Sequence, residues 1–132
     1  MADNSGFIWG TGRRKSSVAR VRIKKGNGKI IVNRRELDDY FCRDCDKFAV
    51  RLPLKTTKKL GNYDIFVNVN GGGSTGQAGA TSLGIARALS KSDQTLTESL
   101  RNAGLFTRDS RMVERKKYGQ KGARKSFQWT KR

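Results

Sequence analysis

A single stretch of the chain, residues 63–90, constrains the fold more than any other. It begins with four apolar residues that alternate with mostly polar ones, at Tyr63, Ile65, Val67 and Val69. This is the period of a β-strand with one buried face. Three glycines at 71–73 then end the strand and allow positive φ angles. The residues after them predict a helix with one narrow stripe of small and apolar side chains, at Ala78, Ser82, Ile85, Ala86 and Leu89.

The glycine turn also matches the pattern G-x-G-x-x-G, through Gly71, Gly73 and Gly76. A dinucleotide site needs a second parallel strand with an acidic residue about 20 positions further on, and a P-loop needs a closing G-K-[ST]. Neither is present, because residues 91–99 begin another helix. We therefore expect no nucleotide cofactor and interpret the turn as a device for close helix packing. A nucleic-acid phosphate held at the helix start is compatible with that role.

The charge of the chain predicts a polyanionic partner. Lys and Arg total 29 against 11 acidic residues, which gives a formal net charge of +18. A compact body with this excess repels itself unless a partner neutralises it, and nucleic acid is the first candidate, ahead of an anionic membrane surface. No apolar run is long enough to span a bilayer. The polar, acidic start MADNSG is unlike a signal or transit peptide, so a cytoplasmic location is expected.

Catalytic and metal-binding chemistry finds little support in the composition. Histidine is absent, which removes the commonest general base and the commonest metal ligand. Cys42 and Cys45 form a C-x-x-C, but a structural zinc needs four ligands and no further Cys or His exists to complete them. A redox pair would follow a strand in a βαβ unit. We interpret the two thiols as incidental, with a zinc site shared between molecules as an unsupported alternative.

The N-terminal part predicts a short strand followed by a basic loop. Residues 7–9 form the strand, and Gly10 and Gly12 end it. The loop then offers three cations and two hydroxyls, all able to bind phosphate, at Arg13, Arg14, Lys15, Ser16 and Ser17.

The following strand has one apolar and one basic face. Ala19, Val21 and Ile23 alternate with Arg20, Arg22 and Lys24. Like charges on one strand face repel each other, and no neighbour in the sequence relieves them. Because an external polyanion would relieve them, we expect this face and the preceding loop to lie on RNA phosphates.

Turn and capping signals predict a hairpin and then a helix start after the basic strand. KGNGK at 25–29 predicts a hairpin that joins the basic strand to a second strand at 29–32. Asn33, with Glu36 three residues later, predicts a helix start.

The remaining body is predicted to be helical apart from the central strand. A helical piece at 44–51 is followed by a separate short helix that starts near Pro53 and ends before Gly61. A last helix over 93–103 is expected to bury Leu96, Leu100 and Ala103. About four strands with segregated helices predict a two-layer α+β body over residues 1–104.

Residues 105–132 differ from the body and are predicted to form an extended tail. The segment has no apolar period, so it cannot offset its own ordering entropy. Its aromatic residues can stack on unpaired bases, and they are Tyr118, Phe127 and Trp129. Its cations are Arg108, Arg111, Arg115, Lys116, Lys117, Lys121, Arg124, Lys125, Lys131 and Arg132. We expect the tail to be disordered in the isolated protein and to order on nucleic acid.

Several of these motifs, in their order along the chain, resemble a known family. They are G-T-G-R-R-K-S-S at 10–17, the Asn-Gly turn, G-G-G-x-x-G-Q-A-G at 71–79, L-x-x-A-G-L-x-T-R-D at 100–109, E-R-K-K at 114–117 and the terminal Lys131-Arg132. Together they are similar to the ninth small-subunit ribosomal protein in its bacterial form.

The resemblance implies a fold, a location and partners. The fold would be like the second domain of the fifth small-subunit ribosomal protein, with a left-handed β-α-β crossover against the usual hand. The body would bind the 3′ major (head) domain of a 16S-type rRNA beside neighbouring head proteins, in the cytoplasm. The tail would reach the anticodon stem-loop of peptidyl-site tRNA with Lys131 and Arg132, although Trp129 and Thr130 depart mildly from the family pattern. The rRNA-binding candidates of the body are the loop and strand-face residues above with Gly72, Gly73 and Gln77.

The main prediction is thus a structural rRNA-binding protein, without enzymatic activity or small-molecule substrate. A free-standing basic nucleic-acid module, such as an RNA chaperone, is the alternative that the charge alone would allow. A nucleotide-dependent enzyme would depend on the glycine turn, and the missing acidic residue and G-K-[ST] disfavour it.

Overall fold

The strand, glycine turn and helix at the centre of the chain organise the fold as predicted. The computed structural model describes residues 7–59 and 61–106. Strand β5 (Tyr63–Asn70) buries its four alternating apolar side chains. Gly71 and Gly72 follow it with φ angles of 80° and 65°, and the helix over Ser74–Ser92 begins directly after Gly73.

Five strands and four helices make up the described part of the chain. The other strands are β1 (Ile8–Arg14), β2 (Ser17–Lys25), β3 (Ile30–Val32) and β4 (Arg35–Glu36). The helices are α1 (Leu37–Tyr40), α2 (Asp44–Thr56), α3 (Ser74–Ser92) and α4 (Leu96–Asn102). The sheet order is β1-β2-β5-β3-β4, with β3 and β5 parallel and the other pairs antiparallel. This mixed sheet with its helices confirms the α+β class.

The predicted hairpin at 25–29 is wrong, because β5 lies between β2 and β3. The Asp64 carboxylate accepts the backbone N–H groups of Asn27 and Lys29 at 3.0 and 3.2 Å. The N–H of Gly26 also donates to the Asn62 carbonyl at 3.1 Å. The loop is therefore held against the start of β5, and the chain crosses over it instead of turning back on β2.

Strand β1 does not end at its glycines, contrary to prediction. It continues to Arg14 and pairs with β2 along its whole length. A β-carbon at Gly10 would lie 2.4 Å from the carbonyl oxygen of Gly84. The glycines therefore do not end the strand. They allow the backbone of α3 to approach it closely, which is another reason for a glycine within a strand.

Helix α3 is buried on nearly all sides, so the prediction of one narrow stripe is wrong. Besides the predicted residues it buries Ala80, Thr81, Leu83 and Ala88. Strands β1 and β2 pack on one side of the helix, while α2 and α4 contact the other. A helix enclosed in this way has apolar or small residues on all sides, so no single stripe stands out in its sequence.

Two further predictions between β3 and β5 are corrected by the structure. Asn33 does not start a helix but forms a turn with φ 49°, and α1 follows β4 with Glu36 as its N-cap. Residues 44–51 and Pro53 belong to one helix, α2. Pro53 lies one turn before its end and is buried in the core, so packing offsets the hydrogen bond that proline cannot donate.

Helix α4, the last one in the described residues, begins later than predicted, at Leu96. Leu100 is fully buried as expected and Leu96 is half-buried, whereas Ala103 is exposed, contrary to expectation. Leu105 and Phe106 still pack against the core. The rest of the predicted tail lies outside the described residues. Within residues 7–59 and 61–106, no helix combines the length and apolar character needed to cross a membrane.

Candidate nucleic-acid interface

One face of the sheet carries basic side chains away from the core, as the alternation of β2 predicts. Ala19, Val21 and Ile23 are fully buried against the helices. Arg20 and Lys24 are exposed on the opposite face, with Arg22 half-buried between them. Arg13 of β1 is also exposed and pairs in register with Val18. We call Arg13, Arg20, Arg22 and Lys24 the basic sheet face.

Aromatic rings stabilise one of the cations on this face, Arg22. The guanidinium carbon of Arg22 lies 5.0 Å from the ring centroid of Phe7, 5.2 Å from that of Phe66 and 5.9 Å from that of Trp9. Such distances are those of cation–π contacts. We call Phe7, Trp9, Arg22 and Phe66 the ring cluster. These rings are distant from Arg22 in the sequence, so the expectation about its sequence neighbours did not include them.

Lys24 has an acidic neighbour that the linear sequence does not reveal. Its register partner across the sheet is Asp64, and its ammonium lies 5.3 Å from the Phe7 ring centroid. The pKa of Asp64 is lowered chiefly by the two N–H groups of Asn27 and Lys29, and the charge of Lys24 adds a smaller effect. The Asp64 carboxylate therefore interacts mainly with the backbone of the 25–29 loop and only weakly with Lys24. No salt bridge to Arg20, Arg22 or Lys24 occurs among residues 7–59 and 61–106.

The predicted basic loop is a tight two-residue turn between β1 and β2. Lys15, with φ 53°, and Ser16 form the turn, while Arg14 and Ser17 are paired strand residues. The Arg14 side chain lies against α3, where a β-carbon on Gly79 would approach its Cδ to 2.4 Å. The predicted cluster is therefore divided: Arg13 lies on the basic sheet face, Arg14 against the helix and Lys15 at the turn.

The turn and the glycine run together form an open recess at the start of α3. Lys15, Ser16 and Ser17 line one side and Gly72 to Gly76 another, with Arg43 of the α1–α2 connection between them. Gly73 is the N-cap of α3 and no side chain caps the helix. The first N–H groups of a helix have no intrahelical partner, so they are open to an anion here. We call this space the glycine-turn recess.

Arg43 is fixed at the recess by hydrogen bonds on both sides. Its Nε and Nη2 donate to the two carboxylate oxygens of Asp46 at 3.0 and 3.2 Å, and Nη2 also donates to the Thr75 hydroxyl. The hydrogen bond and the charge of Asp46 raise the pKa of Arg43. The guanidinium is therefore a permanent, oriented cation beside the first turn of α3.

A hydrogen-bond network supports the glycine turn from behind. The Ser17 hydroxyl and the Gln77 amide both donate to the Gly71 carbonyl, at 2.9 and 3.1 Å. The Gln77 carbonyl oxygen accepts from the Tyr40 hydroxyl at 2.6 Å. Asn33 in turn donates to Tyr40 at 3.2 Å. Both ends of the Gln77 amide are thus engaged inside the protein, so Gln77 supports the turn.

The structure adds functional candidates that the sequence argument missed. Arg43 lies between the two thiols that were interpreted as incidental, and its only signal is its position just before the acidic first turn of α2. Phe7, Trp9 and Phe66 were assigned to strands without a role. Phe66 is the one apolar residue among the polar positions of β5 (Asp64, Asn68 and Asn70), and this is the available signal for an aromatic ring on the outer face.

The remaining candidates from the sequence are the two cysteines and the predicted tail residues. Cys42 and Cys45 are free and exposed. In the described ranges, no three Cys, Asp or Glu residues cluster as possible metal ligands. The predicted tail residues, from Arg108 to Arg132, lie outside the described residues, so their contacts stay predictions.

Comparison with known protein families agrees with the resemblance seen in the motifs. The family model described as ribosomal protein S9/S16 matches residues 12–132. This match includes β2, the glycine turn, α3 and the basic C-terminal segment. Proteins of this family are structural components of the small ribosomal subunit and are not enzymes. With nearly its whole length matched, the chain belongs to the ribosomal protein S9/S16 family.

Proposed function

We propose that the body of this protein binds the 3′ major (head) domain of the small-subunit rRNA through the basic sheet face and the glycine-turn recess. The observation that carries the proposal is the placement of the cations. Arg20 and Lys24 are exposed on one face and have no salt bridge within the described residues, and Lys15 and Arg43 flank an uncapped helix start. Both features suit phosphate groups.

The two surfaces differ in what they offer a phosphate. The basic sheet face presents cations at alternate residues of β2, which suits an RNA backbone that runs along this strand. The glycine-turn recess offers backbone N–H groups with the hydroxyl of Ser16 and the fixed guanidinium of Arg43. Because Nε and Nη2 of Arg43 already donate to Asp46 and Thr75, the N–H groups of Nη1 remain for a phosphate oxygen, and the recess suits one well-placed phosphate.

A matched pair of RNA transcripts tests this proposal. The full chain is titrated onto the isolated 3′ major domain and onto the 5′ domain of the same rRNA at equal salt. We expect saturable binding to the 3′ major domain and much weaker binding to the 5′ domain. Equal affinity for both transcripts would indicate a general RNA-binding module such as an RNA chaperone and would contradict the proposal.

We further propose that the predicted tail (residues 105–132) extends through the rRNA beyond Phe106, which packs against the core, and that Lys131 and Arg132 contact the anticodon stem-loop of peptidyl-site tRNA. Family membership and ten cations against two acids in the segment support this. At about 3.3 Å per residue an extended tail reaches several tens of ångströms. Its other cations would contact rRNA phosphates along the way, and Tyr118, Phe127 and Trp129 would stack on bases.

Removal of the last two residues separates the tRNA contact from assembly. Subunits that carry the truncated protein should form at normal yield and bind tRNA at the peptidyl site several-fold more weakly in a filter assay. Removal of 105–132 should impair incorporation as well. Assembly failure with unchanged tRNA affinity in the two-residue truncation would show that the tip is structural.

The remaining expectations concern fold and surroundings. Strands β3 and β5 are parallel and joined through α2, so they form a β-α-β unit. We propose that its crossover is left-handed, as in the second domain of the fifth small-subunit protein. We also propose that the protein lies beside other head proteins of a cytoplasmic ribosome. Crosslinking within purified subunits tests the neighbours.

A further inference from the structure

We propose that the ring cluster of Phe7, Trp9, Arg22 and Phe66 is a stacking site for an unpaired RNA base. The inference rests on the proposed rRNA-binding function and deepens it. It assigns Arg22 to a base, whereas the sequence alone assigned it to a phosphate.

The geometry of Arg22 is the first argument. Its guanidinium lies within 5.0 to 5.9 Å of three ring centroids. Within the described part of the chain it forms no salt bridge. A guanidinium is planar and weakly hydrated, so it stacks on rings and on bases, whereas an ammonium acts as a point charge. The rings thus hold Arg22 within a partly exposed cluster in which Phe7 and Phe66 meet edge to face.

The position of the rings is the second argument. Phe7, Trp9 and Phe66 are only half-buried, and they lie on the sheet face opposite the core of Val21, Ile23 and Ile65. Phe7 and Phe66 touch edge to face, with centroids 5.8 Å apart. This contact accounts for their mutual packing. The Arg22 guanidinium extends this pair on the solvent-facing side, because it lies within 5.2 Å of both ring centroids.

The surroundings of the cluster favour RNA over other occupants. Arg20 and Lys24 flank Arg22 along β2, at the next positions on the same face. A shallow recess beside the cluster is lined by Arg22, Arg34, Phe66 and Asn68. Cations around an aromatic platform complement a nucleotide, whose base stacks while its phosphates attract the charges. An acidic protein would match the charges without using the rings.

Two oligomers separate base stacking from phosphate attraction. The full chain is titrated with a short oligoadenosine RNA and with an abasic ribose-phosphate oligomer of equal length. The variants are Phe66→Leu, which removes a ring, and Arg22→Lys, which keeps the charge and removes the plane. Phe48→Leu is the matched control, because Phe48 is exposed and lies over Lys55 on α2, far from the cluster in the fold. Thermal melts confirm that each variant is folded.

We expect both cluster variants to bind oligoadenosine at least about five-fold more weakly, in line with the loss of one stacked base. Their affinity for the abasic oligomer should be unchanged, and the control should bind both oligomers normally. In a Trp129→Phe background Trp9 is the sole tryptophan, and its fluorescence should be quenched by oligoadenosine but not by the abasic oligomer.

Three results would overturn the stacking site. One is equal oligoadenosine affinity in the cluster variants and the control. Another is an equal loss on the abasic oligomer, which would show phosphate attraction alone. A third is an equal loss of binding to polyglutamate, which would indicate an acidic protein as the partner. The proposed function fails separately, if the unchanged chain shows no preference for the 3′ major domain transcript.

Discussion

Gly12 of β1 lies so close to Ala80 of α3 that a β-carbon on the glycine would be 1.8 Å from the alanine carbonyl oxygen. The backbones of strand and helix are therefore in direct contact. Gly10 has the same relationship to Gly84, one helical turn further on. This contact seats α3 on the β1–β2 hairpin and thereby brings Lys15 and Ser16 beside the first turn of the helix.

The contact predicts a large effect of Gly12→Ala. Because the methyl group would meet backbone atoms that cannot rotate away, we expect a loss of about 3 kcal/mol in the free energy of unfolding. Urea denaturation measures it. Gly73→Ala is the control, since a β-carbon there meets nothing within 4 Å. Similar unfolding midpoints for the two variants would mean that strand and helix are less closely packed than described.

Asn33 provides a second test of the fold near the recess. Its amide donates to the Val69 carbonyl and its carbonyl accepts the Val69 N–H, both at 2.9 Å. Asn33→Asp keeps a residue that tolerates φ 49° but cannot donate, so the Val69 carbonyl loses its donor and faces a carboxylate. We expect a loss of about 1–3 kcal/mol in unfolding free energy.

The matched control for this change is Asn62→Asp, which introduces the same charge at an exposed turn residue. It should alter stability by less than about 0.5 kcal/mol. Equal losses in both variants would show that the added charge matters and the Asn33 hydrogen bonds do not.

The loop that replaces the expected hairpin predicts a pH dependence. Hydrogen bonds from Asn27 and Lys29 hold the pKa of Asp64 below its ordinary value of 3.8. Stabilisation by a carboxylate with a lowered pKa is present above the unfolded pKa and is lost as pH falls through the folded one. Asp64→Asn should therefore be less stable than the unchanged protein at neutral pH, and the difference should shrink below pH 3.8.

Urea denaturation of both proteins over a series of pH values checks this. Subtracting the two unfolding free energies at each pH cancels the acid sensitivity that both proteins share. A difference that stays constant from neutral pH down through the acid range would mean that the Asp64 charge does not hold the loop.

The sequence predicted local structure well where one signal dominated. The alternation in β5 and β2, the positive φ of Gly71 and the start of α3 all follow from short-range patterns. It failed where a distant residue decides the outcome. Strand β5, far along the chain, lies between β2 and β3, and its Asp64 holds the 25–29 loop. The close approach of Ala80 explains why β1 has a glycine at position 12 without ending there.

The same division holds for the candidate interface. The basic face of β2 follows from strand periodicity, so Arg20 and Lys24 were identified correctly as outward residues. Arg43 reaches the recess only because α2 packs against α3, and no local pattern predicts that contact. The ring cluster needs β1, β2 and β5 side by side, which the sequence did not specify.

The central claim, that the basic sheet face and the glycine-turn recess bind rRNA phosphates, is tested most directly by the salt dependence of binding. The triple variant Lys15→Gln, Arg20→Gln, Lys24→Gln is compared with a charge-matched triple variant of Lys55, Lys58 and Arg101, which are exposed residues on or next to the helices. Each lost phosphate contact should flatten the slope of log K against log salt by roughly 0.7–0.9. We predict a slope about two units shallower in the first variant and little change in the second. An equal change in both, or none in the first, would contradict the account.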